Sequence, residues 1–78
     1  MGVDFYLNFP SREAAESAAE TLRGEGYAVV TRPGAADEKW EAVVGREVSE
    51  TELDSVVERL TQLAESLGGG YDGHDRER

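Results

Sequence analysis

The chain is expected to be an α+β protein, a two-layer sandwich of β-α-β-β-α-β order with an antiparallel four-stranded sheet and two helices on one of its faces. Three observations predict this. Near the start, "VDFYLNF" alternates apolar and polar side chains with the two-residue period of a half-buried strand. Two longer stretches, "SREAAESAAETLRGEG" and the segment beginning at Ser49, carry apolar residues at helical spacing. Between them lie "YAVVTR" and "KWEAVVGR", short runs rich in β-branched and aromatic residues, close enough in sequence to pair as a hairpin.

Each element has its own local cause. In the first strand Val3, Phe5, Leu7 and Phe9 share one face and Asp4, Tyr6 and Asn8 the other. Pro10 ends that strand, and Ser11 is suited to cap the helix that follows, with Glu13 in its first turn near the positive end of the helix dipole. The stripe of this helix, Ala14, Ala15, Ala18, Ala19 and Leu22, is thin and suits close packing; Gly24 and Gly26 offer its C-terminal cap. After the second strand "PGAADE" reads as a loop, and parity in the third strand turns Trp40, Ala42 and Val44 toward the core. Ser49 and Glu52 form an S-x-x-E capping box, followed by Leu53, Val56, Val57, Leu60, Leu63, Ala64 and Leu67 on one helical stripe.

Both helices are amphipathic and so cover the same face of one sheet, and the split βαβ arrangement then needs one more strand. The residues left to form it surround Tyr71-Asp72-Gly73. In "SLGGGYDG" the glycine run is therefore a joint: Gly68 in a left-handed cap, Gly69 and Gly70 letting the chain reverse onto the sheet edge. The expected organisation is a single domain over residues 1–74, with 75–78 a disordered polar tail.

Composition bounds the function. A chain of 78 residues holds one core, and with no cysteine neither a disulfide nor a thiolate metal site can staple it. The lack of cysteine fits a cytoplasmic protein. No apolar run approaches the roughly 20 residues that span a bilayer, and "MGVDFYLNFP" has no basic region ahead of an apolar core. Position 6 holds Tyr6 rather than the Ser or Thr of a myristoylation start. With 17 acidic against 8 basic residues the formal net charge is -9, which repels a phosphate backbone and favours basic partners.

A catalytic constellation is not visible in the sequence. His74, the sole histidine, is flanked by Asp72 and Asp75, a weak set of metal ligands at a chain terminus, and is read as solvated. The glycine run follows a helix and lacks the Lys-Ser/Thr of a phosphate loop. Tyr6 could stack on single-stranded RNA, but Asp4, Asn8 and Glu41 beside it supply no positive charge. Acylphosphatase chemistry would want an arginine in a phosphate-binding loop and a supporting asparagine; Arg12 and Asn8 are the candidates, and "FPSRE" has no glycine-rich cradle for them. The open sheet face could instead seat a protein partner or a second copy of the chain through Tyr6, Val43 and whichever of Ala28 and Val30 point outward.

Two segments carry a family likeness. "DFYLNFPSREAAESAAETLRGEGYAV" and "LAESLGGGYDG", the second more specific, resemble the ribonuclease E inhibitor RraB-like proteins, over about residues 3 to 74. The resemblance implies a ferredoxin-like sandwich and a non-catalytic regulator, without cofactor, that binds a protein partner such as a ribonuclease E-like enzyme or its basic segment. Tyr71, Asp72 and Gly73 match the family's Tyr-Asp-Gly-Trp signature, and His74 stands where the family usually has Trp. Asp72-Gly73 is equally a turn dipeptide, in which Tyr71 would pack and Asp72 bond back to nearby amides. The candidate partner-binding residues are thus Tyr71, Asp72, Gly73, Tyr6 and Asp4. The alternatives are a small-ligand sensor, or a dimer-forming module joined through the open face.

Overall fold

The computed structural model describes residues 1–34 and 39–76. Its elements follow the expected order: β1 (Gly2–Phe9), α1 (Arg12–Gly24), β2 (Ala28–Pro33), β3 (Trp40–Glu47), α2 (Glu50–Ser66) and β4 (Gly70–Arg76). The four strands form one antiparallel sheet in the order β2-β3-β1-β4, so the chain is a ferredoxin-like α+β sandwich. Ala35 to Glu38 of the expected loop lie outside the described residues, as do Glu77 and Arg78.

Alternation in β1 is complete: Val3, Phe5, Leu7 and Phe9 are buried, and the residues between them are half-exposed. Their buried face meets Ala15, Ala18, Ala19 and Leu22 of α1 and Leu53, Val56, Leu60 and Ala64 of α2 in one core. The alanine stripe lets α1 lie close over β2 and β3, while the bulkier α2 covers β1 and β4. Trp40 packs against this core but remains half-exposed at the end of the sheet, with the Arg12 guanidinium 5.6 Å from its ring.

Helix ends are capped as their sequences specify. The Ser11 hydroxyl accepts from the Ala14 N–H at 3.2 Å, and Glu52 reaches back to accept from the Ser49 N–H at 3.2 Å. At the C-termini both helices close alike. Tyr27 N–H donates to Leu22 O and Gly26 N–H to Arg23 O; Gly69 N–H donates to Ala64 O and Gly68 N–H to Glu65 O. These are paired Schellman bonds, with Gly26 and Gly68 at positive φ of 93° and 82°. Of the two glycines offered for the first cap, Gly26 takes the left-handed position.

The expected tail is corrected at two residues. Asp75 and Arg76 belong to β4, paired with Asp4 and Val3. Their polarity suggested a free terminus, but β1 needs a neighbour along its outer edge as far as Val3. Arg76 also lies 3.8 Å from Glu50 at the start of α2.

Candidate functional site

The fourth strand begins at a joint with no room for a side chain. A Cβ on Gly69 would stand 1.8 Å from the Asn8 carbonyl oxygen, so only glycine lets β4 start against the end of β1. From Gly70 onward the strand pairs with β1, and the register slips once: Leu7 faces Tyr71, but Tyr6 faces Gly73. Asp72 is the extra residue of a β-bulge, made possible by Gly73 at a φ of +124°. The expected Asp-Gly turn is therefore a bulge inside a strand. The dipeptide supplies the same left-handed geometry for either, and the demand of β1 for a continuous partner selects the bulge.

That bulge decides which side chains share a face. In a regular strand, residues three apart point to opposite sides. Here Tyr71 and His74 both turn toward the helices, while Asp72 and Asp75 both turn outward. Tyr71 packs against the core, its hydroxyl hydrogen-bonded to His74 Nδ1, and the His74 ring lies 5.6 Å from Phe5. His74 thus sets an aromatic ring beside Phe5 and Tyr71 on the helix side of β4. Burial pushes the Tyr71 hydroxyl above its ordinary pKa.

On the outer face, side chains of β1 hold both carboxylates. Asn8 Nδ2 donates to Asp72 Oδ1 at 2.9 Å and to Gly70 O at 3.2 Å, and the Tyr6 hydroxyl donates to Asp75 Oδ2 at 3.0 Å. Asp72 therefore bonds to a side chain of β1 and not to nearby amides. The bond to the Asp75 carboxylate raises the Tyr6 pKa, with desolvation and the negative charges of Asp75 and Asp4 adding to it. Asp4 sits directly opposite Asp75. On the β2 side, Arg32 Nε donates to Glu41 Oε2 at 3.1 Å.

The five sequence-predicted residues thus divide between the faces. Asp4, Tyr6 and Asp72 share the open face, with Asp4 and Asp72 on either side of Tyr6; Gly73 lies in line with Tyr6, and Tyr71 is on the helix side. Ala28 and Val30 both point outward. Asp75 and Asn8 complete the site and were missed as members of it; the signal was the three-residue spacing of Asp72 and Asp75 around a glycine. The constellations weighed for chemistry come apart. His74 is on the opposite face from Asp72 and Asp75, so the three do not converge on a metal. Arg12 is engaged by Glu16 at 3.1 Å and by Trp40, while Asn8 is engaged by Gly70 and Asp72.

No helix among the described residues is long and apolar enough to cross a membrane. No curated protein matches the chain. The sequence profile of the family described as RraB, regulator of ribonuclease activity B, matches residues 1–75, from β1 to the bulged strand that builds this site. The chain belongs to the RraB family, a family of regulators of ribonuclease activity and not of catalysts.

Proposed function

We propose that this chain is a non-catalytic, cytoplasmic regulator that binds a ribonuclease as a protein partner and modulates RNA decay in the manner of inhibitors of ribonuclease E. One observation carries the reading: the bulge at Asp72 turns both Asp72 and Asp75 to the open sheet face, each held by an uncharged donor of β1, with Asp75 directly opposite Asp4. Such a face repels RNA and attracts a basic segment of the enzyme. Asp4, Tyr6 and Asp72 are the proposed contact residues. Tyr71 and Gly73 act by holding β4 in its bulged register.

The test is cleavage of a fluorescent RNA by full-length ribonuclease E of the same source, with and without this chain. The expected result is concentration-dependent slowing, weakened by Asp72→Asn in a protein that remains folded. Unchanged cleavage at saturating, folded protein contradicts the proposal.

A further inference from the structure

Strand register turns the open face into rows that run across the sheet. Val30 pairs with Val43, Val43 with Tyr6, and Tyr6 with Gly73, one residue from each strand in a single line. At strand spacings of about 4.8 Å this line runs roughly 14 Å from edge to edge. Val30 is 63% exposed, and with Met1 it makes up the large hydrophobics exposed among the described residues. Two residues along the strands, about 7 Å away, lies the row Ala28, Gly45, Asp4, Asp75; on the other side lies Arg32, Glu41, Asn8, Gly70, with Asp72 beside it. The apolar line is thus bordered by carboxylates on both sides. Among the described residues Asp4, Asp72 and Asp75 form no ion pair, and Arg32 is paired with Glu41.

We propose that this row is a docking track for a cationic polypeptide segment, one that sets apolar side chains on Val30, Val43 and Tyr6 and extends arginine or lysine toward Asp4 and Asp75 on one side and Asp72 on the other. The proposal rests on the reading of the chain as a protein-binding regulator, and it names the surface and the chemistry of the partner. Long basic side chains can lay their aliphatic stems over the apolar row while their heads reach the flanking carboxylates.

Charge decides against the other occupant of a bare sheet face. Two copies laid face to face would bring Asp4, Asp72 and Asp75 against the same residues, and like charges across an interface cost several kcal/mol. Strand addition at the sheet edges is also blocked. On β2, Arg23 Nη2 donates to the Val29 carbonyl at 2.8 Å and Pro33 has no N–H to offer; on β4 the bulge and its charged residues interrupt the edge.

The experiment is titration of the ¹⁵N-labelled full chain with a short capped peptide of alternating arginine and valine, and with the same peptide carrying glutamate for arginine. The arginine peptide is expected to give saturable amide shifts centred on Tyr6, Val30, Val43 and Gly73; the glutamate peptide is expected to give none. Val43→Arg, which sets a like charge in the row, and the isosteric pair Asp4→Asn with Asp75→Asn should each weaken binding at least about tenfold. Glu16→Gln with Glu20→Gln on α1 should leave it unchanged. Shifts spread over the acidic helix faces, an absence of saturation, or row shifts that grow with protein concentration alone would overturn the proposal, the last by assigning the face to a second copy. Ribonuclease cleavage run with the same variants separates the two readings. If Val43→Arg slows cleavage as well as the unmodified chain does, the docking track is wrong and the regulatory function stands; if the peptide fills the row while cleavage is unaffected, the track stands and the regulatory reading fails.

Discussion

Replacing Gly69 by alanine should do far more harm than the same change at either neighbouring glycine. The added Cβ would lie 1.8 Å from the Asn8 carbonyl oxygen, where anything under 3.0 Å forces a shift, and the atom it meets is backbone that no rotamer change can move. Separating the two by more than 1 Å pulls β4 from β1 at their first pair, Asn8 with Gly70, and disturbs the 2.8 Å bond from Gly69 N–H to Ala64 O. Overpacking of this kind costs about 1–3 kcal/mol, and a weakened backbone hydrogen bond adds about 1. A total near 3 kcal/mol corresponds to a fall in Tm of roughly 12–24 °C for a domain of this size. Gly68→Ala meets only Pro10 at 3.4 Å but must hold a φ of +82°, for about 1–2 kcal/mol. Gly70→Ala meets Asn8 Nδ2 at an ordinary 3.5 Å and should lose under about 1 kcal/mol. Thermal melts by far-UV circular dichroism, with urea titrations followed by Trp40 fluorescence, give the three values. If Gly69→Ala falls within about 0.5 kcal/mol of Gly70→Ala, the account of the joint is wrong.

The remaining predictions concern the core and the surface charges. Leu60→Ala, at a side chain with no exposed surface, should lose about 3 kcal/mol in urea denaturation, because the fixed sheet and α1 leave the cavity little way to collapse. Arg59 Nη2 donates to Glu25 Oε2 at 2.6 Å and Nε to Oε1 at 3.2 Å, tying α2 to the end of α1 and lowering the Glu25 pKa. A carboxylate lowered in the folded state stabilises above its unfolded value of 4.5, and that contribution disappears as pH falls through the folded value. Glu25→Gln should therefore lose only about 0.5 kcal/mol at neutral pH, the pair being solvent-screened, and match the unmodified chain in strong acid. Tyr6 should titrate above the ordinary tyrosine value of 10.0 in absorbance at alkaline pH, and Asp75→Asn should move it back down.

What could be read from the sequence is what local chemistry decides. The alternation of β1, the alanine stripe of α1 and the Ser49–Glu52 box are each set by residues within a turn or two of one another, and each formed in place. The fourth strand was placed correctly by topology, since two helices on one face leave a sheet edge to fill, but its length was not. Asp75 and Arg76 have no strand propensity; they are ordered by pairing with Asp4 and Val3, some 70 positions away in sequence. Which face Asp72 and Tyr71 would take depended on a single bulge. Asp-Gly serves a turn or a bulge equally well, and the choice rests on hydrogen bonds to β1. Tyr71 enters the candidate set through the Tyr-Asp-Gly likeness and Tyr6 through the parity of β1, and neither signal shows that the register sends the two to opposite sides.

The most direct measurement of the central claim is the affinity of purified ribonuclease E for the chain and for its Asp72→Asn, Asp75→Asn variant, by biolayer interferometry at low and at raised salt. The account predicts direct binding that weakens as salt rises and falls at least about tenfold in the variant, with the fold intact by circular dichroism. Binding that ignores both salt and these two carboxylates, or no binding at either salt, would contradict it.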